Sequence, residues 1–176
     1  QKWIAYQQKE AKKWRFDQNY GNDFAQAYRL YTLALAGSSD LSSMNRLRET
    51  TGISNETKLR LAASYVLAGQ QQAGLSLLMK TSLDEDVSGR YNYHYYGSSD
   101  RNQAMALETL LLLGQKQKAF ATAIKLAKKM SSSEYMSTQT TAYCLYAMSK
   151  FAQKNGSKDI NISYVKDGKT QNITTA

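Results

Sequence analysis

Residues 104–117, AMALETLLLLGQKQ, read as an apolar helix, a glycine stop and the opening of a second, Gln-led helix. The helix is apolar nearly all round and is broken by Glu108 alone, and a helix of that kind belongs in an interior. The same pattern recurs upstream. VLAGQQQ at 66–72 is again an apolar helix end, a glycine and a glutamine-rich restart, and LALAG at 33–37 has the same exit. Repeated helical hairpins of differing inner and outer polarity predict a stack or a ring. Gly37, Gly69 and Gly114 are 32 and 45 residues apart (69 − 37 and 114 − 69), so the period is not that of a strict solenoid.

Working outward, the 3.6 period predicts helices at 2–14, 24–36, 42–50, 55–68 and 70–80, then 101–113, 116–130 and 138–153. Trp3, Tyr6 and Trp14 mark the apolar side of the first. Phe24, Ala27, Tyr28, Tyr31 and Leu35 mark that of the second, with Leu30 and Leu33 on further faces. In 116–130, Phe120, Ala123, Ile124 and Ala127 form the apolar face, opposite Lys118, Thr122, Lys125 and Lys129. Asp23 and Asp100 read as N-caps. The tail changes period: Ile160, Ile162 and Tyr164 alternate with polar residues, Asp167-Gly168 is a two-residue hairpin signal, and TQNIT is its return strand.

Composition agrees with a helical chain. There is no proline among 176 residues, where an average usage of about 5 % would give roughly nine, and helices run without a forced break. That length suits one well-buried domain. The single cysteine, Cys144, excludes an intramolecular disulfide and a thiolate metal cage. No stretch of 18 apolar residues is present, so nothing in the sequence predicts a membrane span or membrane contact by this segment. The chain opens on QKWIAYQQ with no initiator Met or signal peptide, which carries the expectation of a piece of a longer polypeptide. The net charge of +9 permits an acidic partner. Lys116, Lys118, Lys125, Lys128 and Lys129 nevertheless fall mostly on one helix face, which reads as a solvated surface, and no nucleic-acid module is recognisable.

Four places offer chemistry. RYNYHYYGSSDR at 90–101 holds the only histidine, His94, among Tyr91, Tyr93 and Tyr95. Catalysis by a histidine needs a nucleophile and an orienting group, and the sequence marks neither. A zinc site needs three or four ligands, and Cys144 lies within the helix AYCLYAM, where a small buried thiol is common. Asp84, Glu85 and Asp86 are adjacent in a polar segment and read as solvated. A glycosidase would instead need two carboxylates across a groove. Glu108, in its apolar helix, must be paired or hydrogen-bonded. Arg101, seven residues earlier on the same side, is the expected partner, with other arginines as further candidates. No catalytic, cofactor-binding or metal-binding residue is assigned, and no cofactor is expected.

Three passages together resemble a known family: AYRLYTLALAGSSDLSSMNRLRE (27–49), YYGSSDRNQAMALETLLLLG (95–114) and MSTQTTAYCLYAMSKFA (136–152). The leucine-rich helix before MNRLRE, the YGS-x-x-R segment and the STQ-x-x-A-x-x-L-x-A helix start resemble the bacterial alpha-2-macroglobulin family, in the helical domain homologous to the complement thioester domain. The flavour is that of large multidomain proteins from Bacteroides-like bacteria. The resemblance covers roughly residues 1–155 and implies an all-α fold, a partial α/α-toroid of helical hairpins. Residues 1–155 would be the second half of that toroid, and 156–176, with the short β-hairpin, the start of a following β domain. It also implies an extracytoplasmic protein, periplasmic or at the cell surface and often lipid-anchored, that entraps proteases without being an enzyme. Its partners would be proteases, through the intact protein, and neighbouring β domains. The thioester motif Cys-x-Glu-Gln is absent, since Leu145 and Tyr146 follow Cys144, and no local motif gives His94 the transfer role seen in complement-type members. The rival readings are a helical-repeat protein-binding scaffold and an α/α-toroid enzyme, either a glycosidase or a zinc transferase.

Overall fold

The structure, a computed structural model, describes residues 2–17, 21–81, 98–155, 160–166 and 168–175. The described helices are α1 (Lys2–Lys13), α2 (Asp23–Leu35), α3 (Leu41–Glu49), α4 (Asn55–Leu67), α5 (Gln71–Met79), α6 (Ser99–Leu112), α7 (Lys116–Met130) and α8 (Thr138–Asn155). They are followed by strands β1 (Ile160–Lys166) and β2 (Lys169–Thr175). The fold is all-α, and the strands form a two-stranded antiparallel sheet that pairs Ile160 with Thr175 and Lys166 with Lys169. Gly168 in the connecting turn has φ 72°, a conformation that favours glycine.

The helices lie in two rows. In the inner row α2 packs on α4, α4 on α6 and α6 on α8, while α3, α5 and α7 lie outside against the helices that precede or follow them. Hydrogen bonds show that the inner helices run parallel. At their N-terminal ends, the Asp23 carboxylate accepts from Ser54 N (2.8 Å) and Thr57 Oγ1 (2.7 Å), Asn102 Nδ2 donates to Glu56 Oε1 (2.8 Å), and the Ser98 and Thr140 hydroxyls bond each other at 2.9 Å. Each link joins one inner helix to the next.

The inner helices α2, α4 and α6 end in the same way, which is the physical content of the sequence repeat. Gly37, Gly69 and Gly114 take φ 68°, 77° and 68°. Their N–H groups bond the carbonyls of Ala34, Val66 and Leu111. The next N–H groups, of Ser38, Gln70 and Gln115, reach back to Leu33, Tyr65 and Leu110. This is the Schellman exit three times over, and it turns each inner helix into its outer partner.

Helix starts correct two expectations. Asp23 does not cap α2: it is the first residue of that helix, and its buried carboxylate instead holds the start of α4. Asp100 does not cap α6, because Ser98 accepts from Arg101 N at 3.1 Å, leaving Asp100 in the first turn, where it complements the helix dipole. Ser54 and Ser137 cap α4 and α8 through Thr57 N and Thr140 N, both at 3.2 Å.

Two core clusters meet at α4. One gathers Leu30, Leu33, Met44, Leu47, Leu61 and Tyr65. The other gathers Leu59, Leu107, Leu110, Leu126 and Cys144 with their neighbours. Faces also differ from the sequence reading. On α7 the buried side is Ala119, Ala123 and Leu126, while Phe120 and Ile124 are 59 % and 43 % exposed. Small residues let α7 lie close against α6, and that selects a face rotated from the bulkier apolar stripe. On α1, Ala11 and the adjoining Trp14 are buried and Trp3 and Tyr6 are exposed, because α1 is held by its C-terminal end. There the Ala11 carbonyl accepts from Gln26 Nε2 (3.0 Å) and Arg46 Nη2 (2.7 Å). On α2, Tyr28 and Leu35 are exposed, while Leu30 and Leu33 join the core. Lys116, Lys118, Lys125 and Lys128 are exposed, as a solvated face requires.

Gly74 sets the spacing of α4 and α5. A Cβ there would lie 2.8 Å from Val66 Cγ2 and 3.0 Å from the Ala62 carbonyl oxygen. In an open helix, Gly→Ala stabilises by about 1 kcal/mol. Here the sign reverses: Gly74→Ala is expected to lower stability by about 1–3 kcal/mol through overpacking, as measured by urea denaturation.

Candidate functional site

Midway along the inner row, one side chain from each helix meets at a single point. Arg60 of α4 is fully buried and Glu108 of α6 nearly so. Arg60 Nη1 donates to Glu108 Oε2 at 2.8 Å. The Tyr31 hydroxyl, from α2, donates to Oε1 at 2.6 Å, and the Tyr143 hydroxyl, from α8, donates to Oε2 at 3.0 Å. Arg60 Nη2 in turn donates to the Tyr143 hydroxyl. The guanidinium lies 4.2 Å from the centre of the Tyr31 ring, with Tyr28 and Tyr143 at 5.7 and 5.6 Å. A buried carboxylate has therefore been given a cation and two hydroxyl donors, and the buried cation has been surrounded by the negative faces of aromatic rings.

These contacts decide the protonation states. Burial by itself raises the Glu108 pKa, but the charge of Arg60 and the hydrogen bonds from Tyr31, Arg60 and Tyr143 outweigh it and hold the carboxyl below its ordinary range. Burial and the neighbouring carboxylate push Tyr31 and Tyr143 far above the usual phenol value. Glu108 is held as the carboxylate, with the Tyr31 hydroxyl on Oε1 and Arg60 and the Tyr143 hydroxyl on Oε2.

Glu108 is paired, as a buried carboxylate requires, but by Arg60 rather than by the expected Arg101. Arg101 lies at the N-terminal end of the row, over the Phe24 ring at 5.4 Å, where burial lowers its pKa against the pull of Glu56. Two turns of α6 separate it from Glu108, and the neighbouring helix supplies a closer cation. Nothing local marked Arg60 in NETKLRLAASYVL, where it reads as one more polar residue on a helix.

Above the network, at the C-terminal ends of the inner helices, lies a cleft of about 450 Å³. Tyr31 and Glu108 form its floor, Leu67, Leu111 and Leu112 its walls, and Leu35, Tyr146, Lys150 and Lys154 its rim. Lys154 Nζ donates to the Leu111 carbonyl, and the Lys150 ammonium stands 5.4 Å from the centre of the Tyr146 ring. Among the described residues lining this cleft Glu108 is the one carboxylate, so they do not supply the paired carboxylates of a glycosidase.

The other candidates separate. Cys144 is fully buried, with its thiol 3.8 Å from the Asp100 carbonyl oxygen, and burial pushes its pKa up to about 11. Among the described residues, no three His, Cys, Asp or Glu side chains are grouped to hold a metal, and no helix is long and apolar enough to cross a membrane. His94, Asp84, Glu85, Asp86, Tyr91, Tyr93 and Tyr95 lie outside the described residues. Compared with protein-family models, curated proteins and solved structures, the chain has no match.

Truncating one partner strands the other's charge. Arg60→Ala or Glu108→Ala is expected to cost about 3–5 kcal/mol each, and the double replacement less than their sum, in a urea-denaturation double-mutant cycle. The folded pKa of Glu108 is depressed, so its contribution is complete above the unfolded-state value of about 4.3 and is lost as pH falls towards the folded value. Acid titration of stability should show that loss in the native chain and not in Glu108→Gln. Cys144 is expected to resist a thiol reagent at pH 8 in the folded chain and to react at once in denaturant.

Proposed function

We propose that this chain is a non-catalytic structural segment of an alpha-2-macroglobulin-like protease trap, contributing part of an α/α-toroid to an extracytoplasmic protein. The reading is carried by the inner row itself. Four parallel helices are locked around one ion pair whose acid also holds two hydroxyl donors, a design that confers rigidity. The two-row arrangement agrees with the toroid that the three resembling passages imply. On the far side of α8, Leu145 and Ala142 are exposed, a surface against which a further helix of a closed ring would pack. In this reading residues 1–155 form one part of the ring, and β1–β2 begin the neighbouring β domain, to which an isolated hairpin would owe its stability.

In such a protein the segment works mechanically: it is a stiff block that shields its neighbours and moves as a unit. The test uses a longer polypeptide that includes residues 1–176. Mixed with an endopeptidase, it should suppress cleavage of a large protein substrate while hydrolysis of a short peptide substrate continues, because a trapped enzyme keeps its active site. Equal suppression of both substrates, or of neither, would overturn the reading, as would hydrolytic activity in the polypeptide itself.

A further inference from the structure

The cleft at the C-terminal ends of the inner helices has no part in holding the network beneath it. Its volume of about 450 Å³ lies within the range of sites that take small molecules, about 300–1,000 Å³. Its floor offers a guest no free donor, because the Tyr31 and Tyr143 protons are committed to Glu108. A guest therefore gains by moving apolar surface out of water and against Leu67, Leu111 and Leu112, and any polar group it carries must stay at the rim.

The rim sets the sign of that polar group. Helix C-termini carry partial negative charge, but here the Schellman turns and Lys154 Nζ occupy the terminal carbonyls. Glu108 is balanced by Arg60. What remains at the described rim is positive: the Lys150 ammonium, exposed and standing over Tyr146, with the Lys154 ammonium beside it. We propose that the cleft binds a single-chain amphiphile with an anionic head, its hydrocarbon between the leucine walls and its head against Lys150. This site does not depend on the protease-trap reading.

The test is calorimetric titration of the whole chain with octanoate, decanoate and dodecanoate, each kept below its micelle concentration. One saturable site is expected, its Kd falling about fourfold for each added methylene. Lys150→Glu should weaken dodecanoate by about tenfold, the scale of one lost charge contact at a partly exposed site. Leu35→Glu places a negative charge at a rim position that is already 55 % exposed, so the fold should survive, and it should weaken binding by repelling the anionic head. Circular dichroism of both variants confirms that they are folded. The proposal fails if dodecanoate shows no saturable binding, or if dodecyltrimethylammonium binds as well as dodecanoate. It fails equally if folded Lys150→Glu and Leu35→Glu bind like the native chain.

Discussion

The contact between Arg60 and Glu108 is the constraint around which the rest of the chain is arranged. Both groups are taken out of water, and an unpaired charge at that depth would be strongly destabilising. Their pairing requires α4 and α6 to meet in one axial register. The two hydroxyls on Glu108 impose the same requirement on α2 and α8. Apolar packing alone tolerates sliding and rotation, because leucine against leucine is nearly equivalent at neighbouring positions. A buried carboxylate with three defined donors is not tolerant in that way.

The polar links at the N-terminal ends repeat this logic one level away. Asp23 to Ser54 and Thr57, Glu56 to Asn102, and Ser98 to Thr140 join the same helices in the same order. Between the two levels the inner row is fixed in both register and direction. At the opposite end α2, α4 and α6 leave through three equivalent glycine turns, and the cleft lies there above the network. The cleft is thus a by-product of ending parallel helices at one level around a filled centre. Its apolar walls are the last turns of helices whose earlier turns form the core.

Much of this order was legible locally. The glycine exits and the polarity difference between α6 and α7 are short-range features, and each is decided within one or two helical turns, whereas the caps read at Asp23 and Asp100 were displaced to other residues. The period change at 160 and the Asp-Gly turn announced the hairpin in the same way. Glu108 was legible as a buried acid, since the apolar and small residues on both sides of it leave it no route to water along its own helix. Its partner was not legible. Arg60 and Glu108 are 48 residues apart, and Arg60 sits in a helix with other polar residues that look equivalent in sequence.

The sequence by itself determined the class of fold, the positions of the helices to within a residue or two and the hairpin alternation of inner and outer elements. It did so because backbone conformation and amphipathic period are set by near neighbours. Tertiary structure alone decided which face of α7 is buried, where Asp23 spends its carboxylate and which of the candidate arginines meets Glu108. Those outcomes depend on which helices are brought side by side, and the residues that meet there are far apart in the chain. The aromatic shell of Arg60 belongs to the same category: four helices had to converge before Tyr28, Tyr31 and Tyr143 could surround one cation.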